Sequence, residues 1–186
     1  MFIDKAKITV KAGSGGNGMS SFRREKFVPF GGPDGGNGGH GGSVILVADP
    51  NKLTLYDFRY KPLWRAEDGE PGAGSLKDGK SGVDLYIQVP VGTQVYRIAG
   101  GELIADLVEP DSQVVMARGG RGGKGNAWFK TSTNQAPEYH QPGEEGEAGK
   151  FRLLLKLIAN VGLVGFPNAG KSTLIRCINR ILFPQN

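Results

Sequence analysis

Ile8, Val10 and Ala12 are apolar, and Thr9 and Lys11 between them are polar. Val83, Leu85, Ile87, Val89 and Val91 alternate in the same way with Asp84, Tyr86, Gln88 and Pro90. A period of two places successive side chains on opposite faces of a strand, so each run predicts a half-buried β-strand. Shorter runs at 43–48, 93–98, 103–108 and 113–118 carry the same signal, punctuated by Gly, Pro and Asp. The pattern predicts a mostly antiparallel sheet system, a β sandwich or small barrel, over residues 1 to about 157. Pro90 lacks an N–H for the ladder and is expected at an edge or a bulge.

At residue 151 the pattern changes. Phe151 to Leu163 is nearly continuous apolar sequence, and residues 158–164 read as a buried strand. Beyond it Leu174, Ile175, Ile178, Ile181 and Leu182 recur at helical spacing, with Arg176, Asn179 and Arg180 on the other side. Pro184 is expected to stop that helix. Cys177 falls on it and reads as a packing residue.

Composition complicates this picture through one residue type, with 31 glycines among 186 residues. They are clustered, and the clusters keep a period of three: Gly32, Gly35, Gly38 and Gly41, with Gly36, Gly39 and Gly42 alongside. The period returns at Gly13/Gly16, Gly15/Gly18, Gly119/Gly122/Gly125 and Gly143/Gly146/Gly149, with a short echo at Gly69/Gly72. Three residues per turn is the repeat of the polyproline II helix, which has no internal hydrogen bonds. Glycine on one face lets a second backbone approach and supply them. The pattern predicts several polyproline II segments packed side by side, with Gly38→Val costly and Asn37→Ala or His40→Ala, off that register, milder. Flexible linker is the competing reading, but linkers have no reason to keep a period across separated segments.

The net charge of +5 is unevenly placed. The five cations after residue 150 leave 18 of the 23 to face all 18 carboxylates within residues 1–150. Within that neutral part Arg23, Arg24 and Lys26 form one basic patch and Arg118, Arg121 and Lys124 another, while Glu144, Glu145 and Glu147 are acidic. Either basic patch could meet RNA phosphates or be solvated surface. No apolar run reaches the ~20 residues that span a bilayer. The N-terminus MFIDKAKITV carries charges where a signal peptide is apolar, so a cytoplasmic protein is expected. The single cysteine permits no internal disulfide. His40 and His140 have no ligand partners at metal spacing, and N51-K-L-T lacks the Asp of a guanine-reading motif.

Chemistry is concentrated at Gly165-Phe166-Pro167-Asn168-Ala169-Gly170-Lys171-Ser172, which matches G-x-x-x-x-G-K-[ST]. Gly165 and Gly170 allow backbone N–H groups to point at phosphate oxygens, and the following helix N-terminus adds partial positive charge. Lys171 supplies a cation for the β and γ phosphates, and the Ser172 hydroxyl can ligate Mg²⁺. The predicted strand before this loop and helix after it are the context that the motif requires.

The P-loop, together with G13-S-G-G-N-G, S21-F-R-R-E-K, G31-G-P-D-G-G, V89-P-V-G-T and R118-G-G, resembles the Obg (CgtA) family of GTPases over about residues 1–175. The resemblance implies an Obg domain at 1–157, mostly β with glycine-rich polyproline II helices, followed at 158–186 by an incomplete α/β P-loop (Ras-like) GTPase fragment. It further implies GTP or GDP at residues 165–173 (including Thr173), Mg²⁺ on Ser172, and large ribosomal subunit assembly and stress response as the setting, with rRNA as partner. A monomer is expected. After Ile175 the chain reads RCINRILFPQN, and no Asp or Glu follows Gly149. The switch threonine, D-x-x-G and N-K-x-D have no counterpart, which reads as a truncated product that does not hydrolyse GTP by itself. Two functional classes stand: a GTPase by ancestry, and a non-catalytic ribosome-docking or structural glycine-rich module.

Overall fold

The computed structural model describes residues 3–24, 26, 31–156, 166 and 170–182. The chain divides into two compact units, Met1–Lys156 and Leu157–Asn186. In the first, eight strands occur among the described residues: β1 (Lys5–Lys11), β2 (Val44–Asp49), β3 (Leu63–Arg65), β4 (Leu85–Pro90), β5 (Thr93–Arg97), β6 (Leu103–Leu107), β7 (Gln113–Ala117) and β8 (Ala148–Leu155). A one-turn helix, α1 (Asp57–Tyr60), precedes β3. Among the described residues no helix is long and apolar enough to cross a membrane.

The strands form two sheets, one ordered β3-β1-β8-β5-β6 and the other β4-β2-β7. Four of the six pairings are antiparallel; β1 with β3 and β2 with β4 are parallel. The unit is thus mostly β, as the alternation predicts. One shared core joins the sheets: Ile8, Val10, Val95 and Leu153 from the first meet Val44, Leu46, Ile87 and Val89 from the second. Leu153 is fully buried, and each such side chain contributes about 1.5–3 kcal/mol relative to exposure. Pro90 ends β4, an edge strand.

Two strands escape the sequence reading. β3 has only three residues and pairs parallel with β1 over Thr9–Lys11. β8 occupies the centre of the larger sheet, between β1 and β5, although the sequence places a change of character at 151. Its apolar run conceals a period of two, since Phe151, Leu153 and Leu155 are buried while Arg152 is exposed. The strand expected at 158–164 lies outside the described residues.

In the second unit α2 runs Lys171–Leu182. Leu174 and Ile175 are exposed, and Cys177 is exposed rather than packed. The stretch 172–177 is exposed on every side of the helix, so helical position alone gives this cysteine nothing to pack against.

Candidate functional site

From the mouth of the sandwich six extended segments run together, at residues 12–19, 35–42, 67–73, 77–83, 118–125 and 141–147. None has an internal ladder. Every third N–H donates to another segment: Gly13, Gly16 and Met19 to the carbonyls of Gly42, Gly39 and Gly36, at 2.9, 2.9 and 3.0 Å. Gly36, Gly39 and Gly42 donate in turn to Ala73, Glu70 and Glu67, and Gly120 and Gly123 to Gly13 and Gly16. This is the bonding of packed polyproline II helices, in which neighbours supply what the segment itself lacks.

Close approach explains the glycines. A Cβ built on Gly38 would lie 1.9 Å from the Gly16 carbonyl oxygen, well inside any tolerable contact. Gly35, Gly36, Gly39, Gly41 and Gly42 are crowded in the same way, each by backbone. Gly79 and Gly82 belong to the set although the sequence reading passes them over. Two expected members do not belong. At Gly32 the nearest atom would be the Lys130 Nζ at 3.5 Å, and at Gly149, inside β8, a Cβ would meet the ring of Phe151.

The residues between the glycines also bond across segments. Asn37 Oδ1, His40 Nδ1 and Ser43 Oγ accept the N–H groups of Gly125, Gly122 and Gly119 at 3.0, 3.2 and 3.3 Å. The backbone N–H groups of the same three residues donate to Asp78 Oδ1, Ser81 Oγ and Asp84 Oδ1 at 2.7, 3.3 and 2.6 Å. A second ladder of period three, made of polar side chains, therefore joins residues 37–43 to residues 78–84 and 119–125. Its signal, N37-x-x-H-x-x-S and D78-x-x-S-x-x-D, is legible once the period is applied to polar residues too. At the edge of the lobe Asp68 accepts the Ser14 N–H at 2.8 Å. That bond, aided by Arg65, holds the Asp68 carboxyl below its usual range.

At the free end, residues 19–24, 31–34 and 126–140 are tied by Asn126, which is fully buried. Its Oδ1 accepts the Gly35 N–H at 2.9 Å, and its Nδ2 donates to the carbonyls of Ser21 and Pro137 at 2.9 and 3.0 Å. Asp34 clamps the adjoining turn: its Oδ2 accepts the Ser75 N–H and its carbonyl the Leu76 N–H, where both residues have positive φ, 60° and 56°. Trp128 meets Phe129 edge to face and Phe129 meets Tyr139 at a tilt of 48°, with Trp128 and Tyr139 exposed.

The predicted basic residues fall in two places. Arg118, Arg121 and Lys124 lie three apart on one segment whose glycines face inward, so they form a stripe along the lobe. Lys124 stands over the Trp128 ring, 3.1 Å from its centroid. Arg23 and Arg24 line a cleft of about 510 Å³ at the free end, together with Lys130 and Glu138. Lys130 is absent from the sequence reading, although W128-F-K sets a cation beside aromatics. Lys26 does not line this cleft.

Of the P-loop, Phe166, Gly170 and the helix that follows are described; Gly165, Pro167, Asn168 and Ala169 lie outside the described residues. Gly170 has φ +73°, a left-handed value that glycine adopts without strain. Its carbonyl accepts the Leu174 N–H at 2.9 Å, so Lys171, Ser172 and Thr173 form the first turn of α2. The Lys171 ammonium donates to the carbonyl of Phe166. Among the described residues no three His, Cys, Asp or Glu side chains come together as a metal site.

Residues 3–157 match the GTP1/OBG family model. This chain belongs to that family. It is 59% identical over 179 residues to the GTPase Obg of Persephonella marina, covering 96% of this chain and 53% of that protein. It is 60% identical to the GTPase Obg of Desulfovibrio desulfuricans, over 94% of this chain and 48% of that one. The GTPase Obg of Thermoanaerobacter sp. strain X514 is 56% identical, over 97% and 43%. The chain thus spans about half the length of the curated relatives it matches. The glycine ladder and its polar companion are how an Obg-family sequence builds a lobe without an apolar core.

Proposed function

We propose that this chain is part of a GTP-binding protein whose glycine lobe docks on the large ribosomal subunit. The observation that carries the docking reading is the free end, where Arg23, Arg24 and Lys130 line one cleft with Glu138, and exposed Trp128 lies two residues before Lys130. The segments behind it are hydrogen-bonded to one another along their length, so cations and aromatic rings are presented to RNA at little ordering cost. Arg118, Arg121 and Lys124 extend the phosphate-binding track along the lobe.

Residues 165–173 begin the guanine-nucleotide site. Gly170, Lys171 and Ser172 suit a phosphate: a left-handed glycine, a lysine and a hydroxyl at a helix N-terminus. Ser172 would hold Mg²⁺, which supplies charge neutralisation for the phosphates when bound. GTP and GDP are the proposed ligands, and a cytoplasmic monomer the proposed form. Tested by themselves, these 186 residues are proposed to bind nucleotide without turning it over, since no Asp or Glu follows Gly149 among them. Free-standing structural use of the lobe is the second reading, favoured only by the self-sufficiency of its hydrogen bonding.

Co-sedimentation with purified large subunits across a salt series, without nucleotide, tests the docking. Arg23→Ala/Arg24→Ala/Lys26→Ala should weaken it, and the affinity should fall with salt by about 0.7–0.9 log units per contact per log unit of salt. No co-sedimentation at low salt would end the proposal. Phosphate release from GTP should be negligible; release abolished by Lys171→Ala would overturn the non-catalytic part.

A further inference from the structure

The alternation that buries Ile8, Val10, Phe151 and Leu153 turns their neighbours outward, and on the larger sheet those neighbours are cations. Lys5, Lys7 and Lys11 of β1, Lys150 and Arg152 of β8 and Arg65 of β3 are exposed on one face. Register places Lys7 directly opposite Arg152 and Lys11 beside Arg65. Like charges opposed across strands destabilise a sheet, so this arrangement opposes folding. The carboxylates nearby are already engaged: Asp68 pairs with Arg65, and Asp106 accepts from Gln94 at 2.7 Å and faces Lys156 at 3.5 Å. Among the described residues Lys5, Lys7, Lys150 and Arg152 have no ion-pair partner.

We infer that this face of the sheet binds the sugar–phosphate backbone of double-helical nucleic acid. Neighbouring strands lie about 4.8 Å apart and same-face residues about 6.7 Å apart along a strand, which packs the unpaired cations within reach of successive phosphates. A protein partner fits less well. Protein interface cores deplete lysine and use aromatic or aliphatic anchors, whereas here the exposed large apolar residues, Leu63 and Leu103, sit on the two edge strands. Single strands need rings on which bases stack, and the aromatic residue on this face, Tyr96, is half-buried with Arg152 above it, 5.0 Å from its centroid. A duplex keeps its bases inside and asks only for charge. Such contacts position a helix without reading its sequence. The surface is separate from the free end of the lobe and does not rest on the docking proposed there.

The test is fluorescence anisotropy of a labelled RNA duplex with the 186-residue chain, from low to moderate NaCl. Lys7→Gln/Lys150→Gln/Arg152→Gln should weaken duplex binding at least tenfold at low salt and reduce the log–log salt slope by about two to three. Its melting temperature should be unchanged or higher, because repulsion is relieved. A DNA duplex should bind comparably, and Arg23→Gln/Arg24→Gln should leave the duplex slope intact. An unchanged slope in the triple variant, no duplex binding at low salt, or tighter binding to phosphatidylserine vesicles than to the duplex would overturn the inference. Duplex binding lost only in the Arg23/Arg24 variant would overturn it too, while leaving the docking of the lobe standing.

Discussion

The sandwich and the glycine lobe solve the same problem by opposite means. In the sandwich, side chains are buried and the backbone is satisfied along regular ladders; Leu153, Val10 and Leu46 lie at 0% exposure. In the lobe the backbone itself is the packed material, and side chains are excluded or used as hydrogen-bond acceptors. Apolar burial is non-directional and tolerates volume-conserving exchange. Backbone packed at 1.7–2.3 Å from where a Cβ would stand tolerates none. The lobe is therefore the more brittle region, with specificity set by what is missing from its residues.

The largest effect should come from adding one methyl group to the lobe. Gly38→Ala places a Cβ against the Gly16 carbonyl and should cost more than about 4 kcal/mol, or leave no folded chain. Leu153→Ala, which empties a core site, should cost about 2–5 kcal/mol. Gly32→Ala, whose Cβ would make only ordinary contact with the flexible end of Lys130 at 3.5 Å, should be nearly silent in the same chemical denaturation experiment. Equal costs at Gly38 and Gly32 would mean that the lobe is a flexible linker and would erase the contrast.

A smaller effect is expected from the polar ladder. Asn37→Ala and His40→Ala each strip the acceptor from one inter-segment N–H, and each should lower stability by about 1 kcal/mol. Thermal melts of both variants and of Ser81→Ala would measure it. No loss at any of the three would show that the polar ladder adds nothing to stability.

The smallest effect concerns pH. The folded state lowers the Asp68 pKa, chiefly through the Ser14 N–H, so its contribution is present above the unfolded carboxylate pKa, about 3.9. As pH falls through the lower folded value, that contribution is lost. Melting temperature followed from pH 6 downward should therefore drop less steeply for Asp68→Asn than for the parent chain. Parallel curves would remove Asp68 from the ladder's support.

Much of this was legible beforehand because two periods are local properties. Alternation marked β1, β2, β4, β5, β6 and β7 to within a residue or three, and the glycine period marked the packed segments. β3 was not legible: three residues are too few to show a period, and its pairing with β1 is parallel and remote. β8 was misread because half-buried Leu154 interrupts the polar side of the alternation. Asn126 carried no local signal, since its partners are Gly35, Ser21 and Pro137.

Site residues divide along the same line. The P-loop is a contiguous motif, and sequence alone named it, as it named the basic patches whose members are neighbours in the chain. Lys130 joined Arg23 and Arg24 only when two loops were brought to one cleft. Lys7 and Arg152 are 145 positions apart, and only the pairing of β1 with β8 sets them opposite each other. Sequence by itself determined what repeats along the chain: the strand period, the glycine period, and the balance of charge. Tertiary structure decided which of those charges share a face, because strand alternation scatters same-face residues along the chain and register alone gathers them.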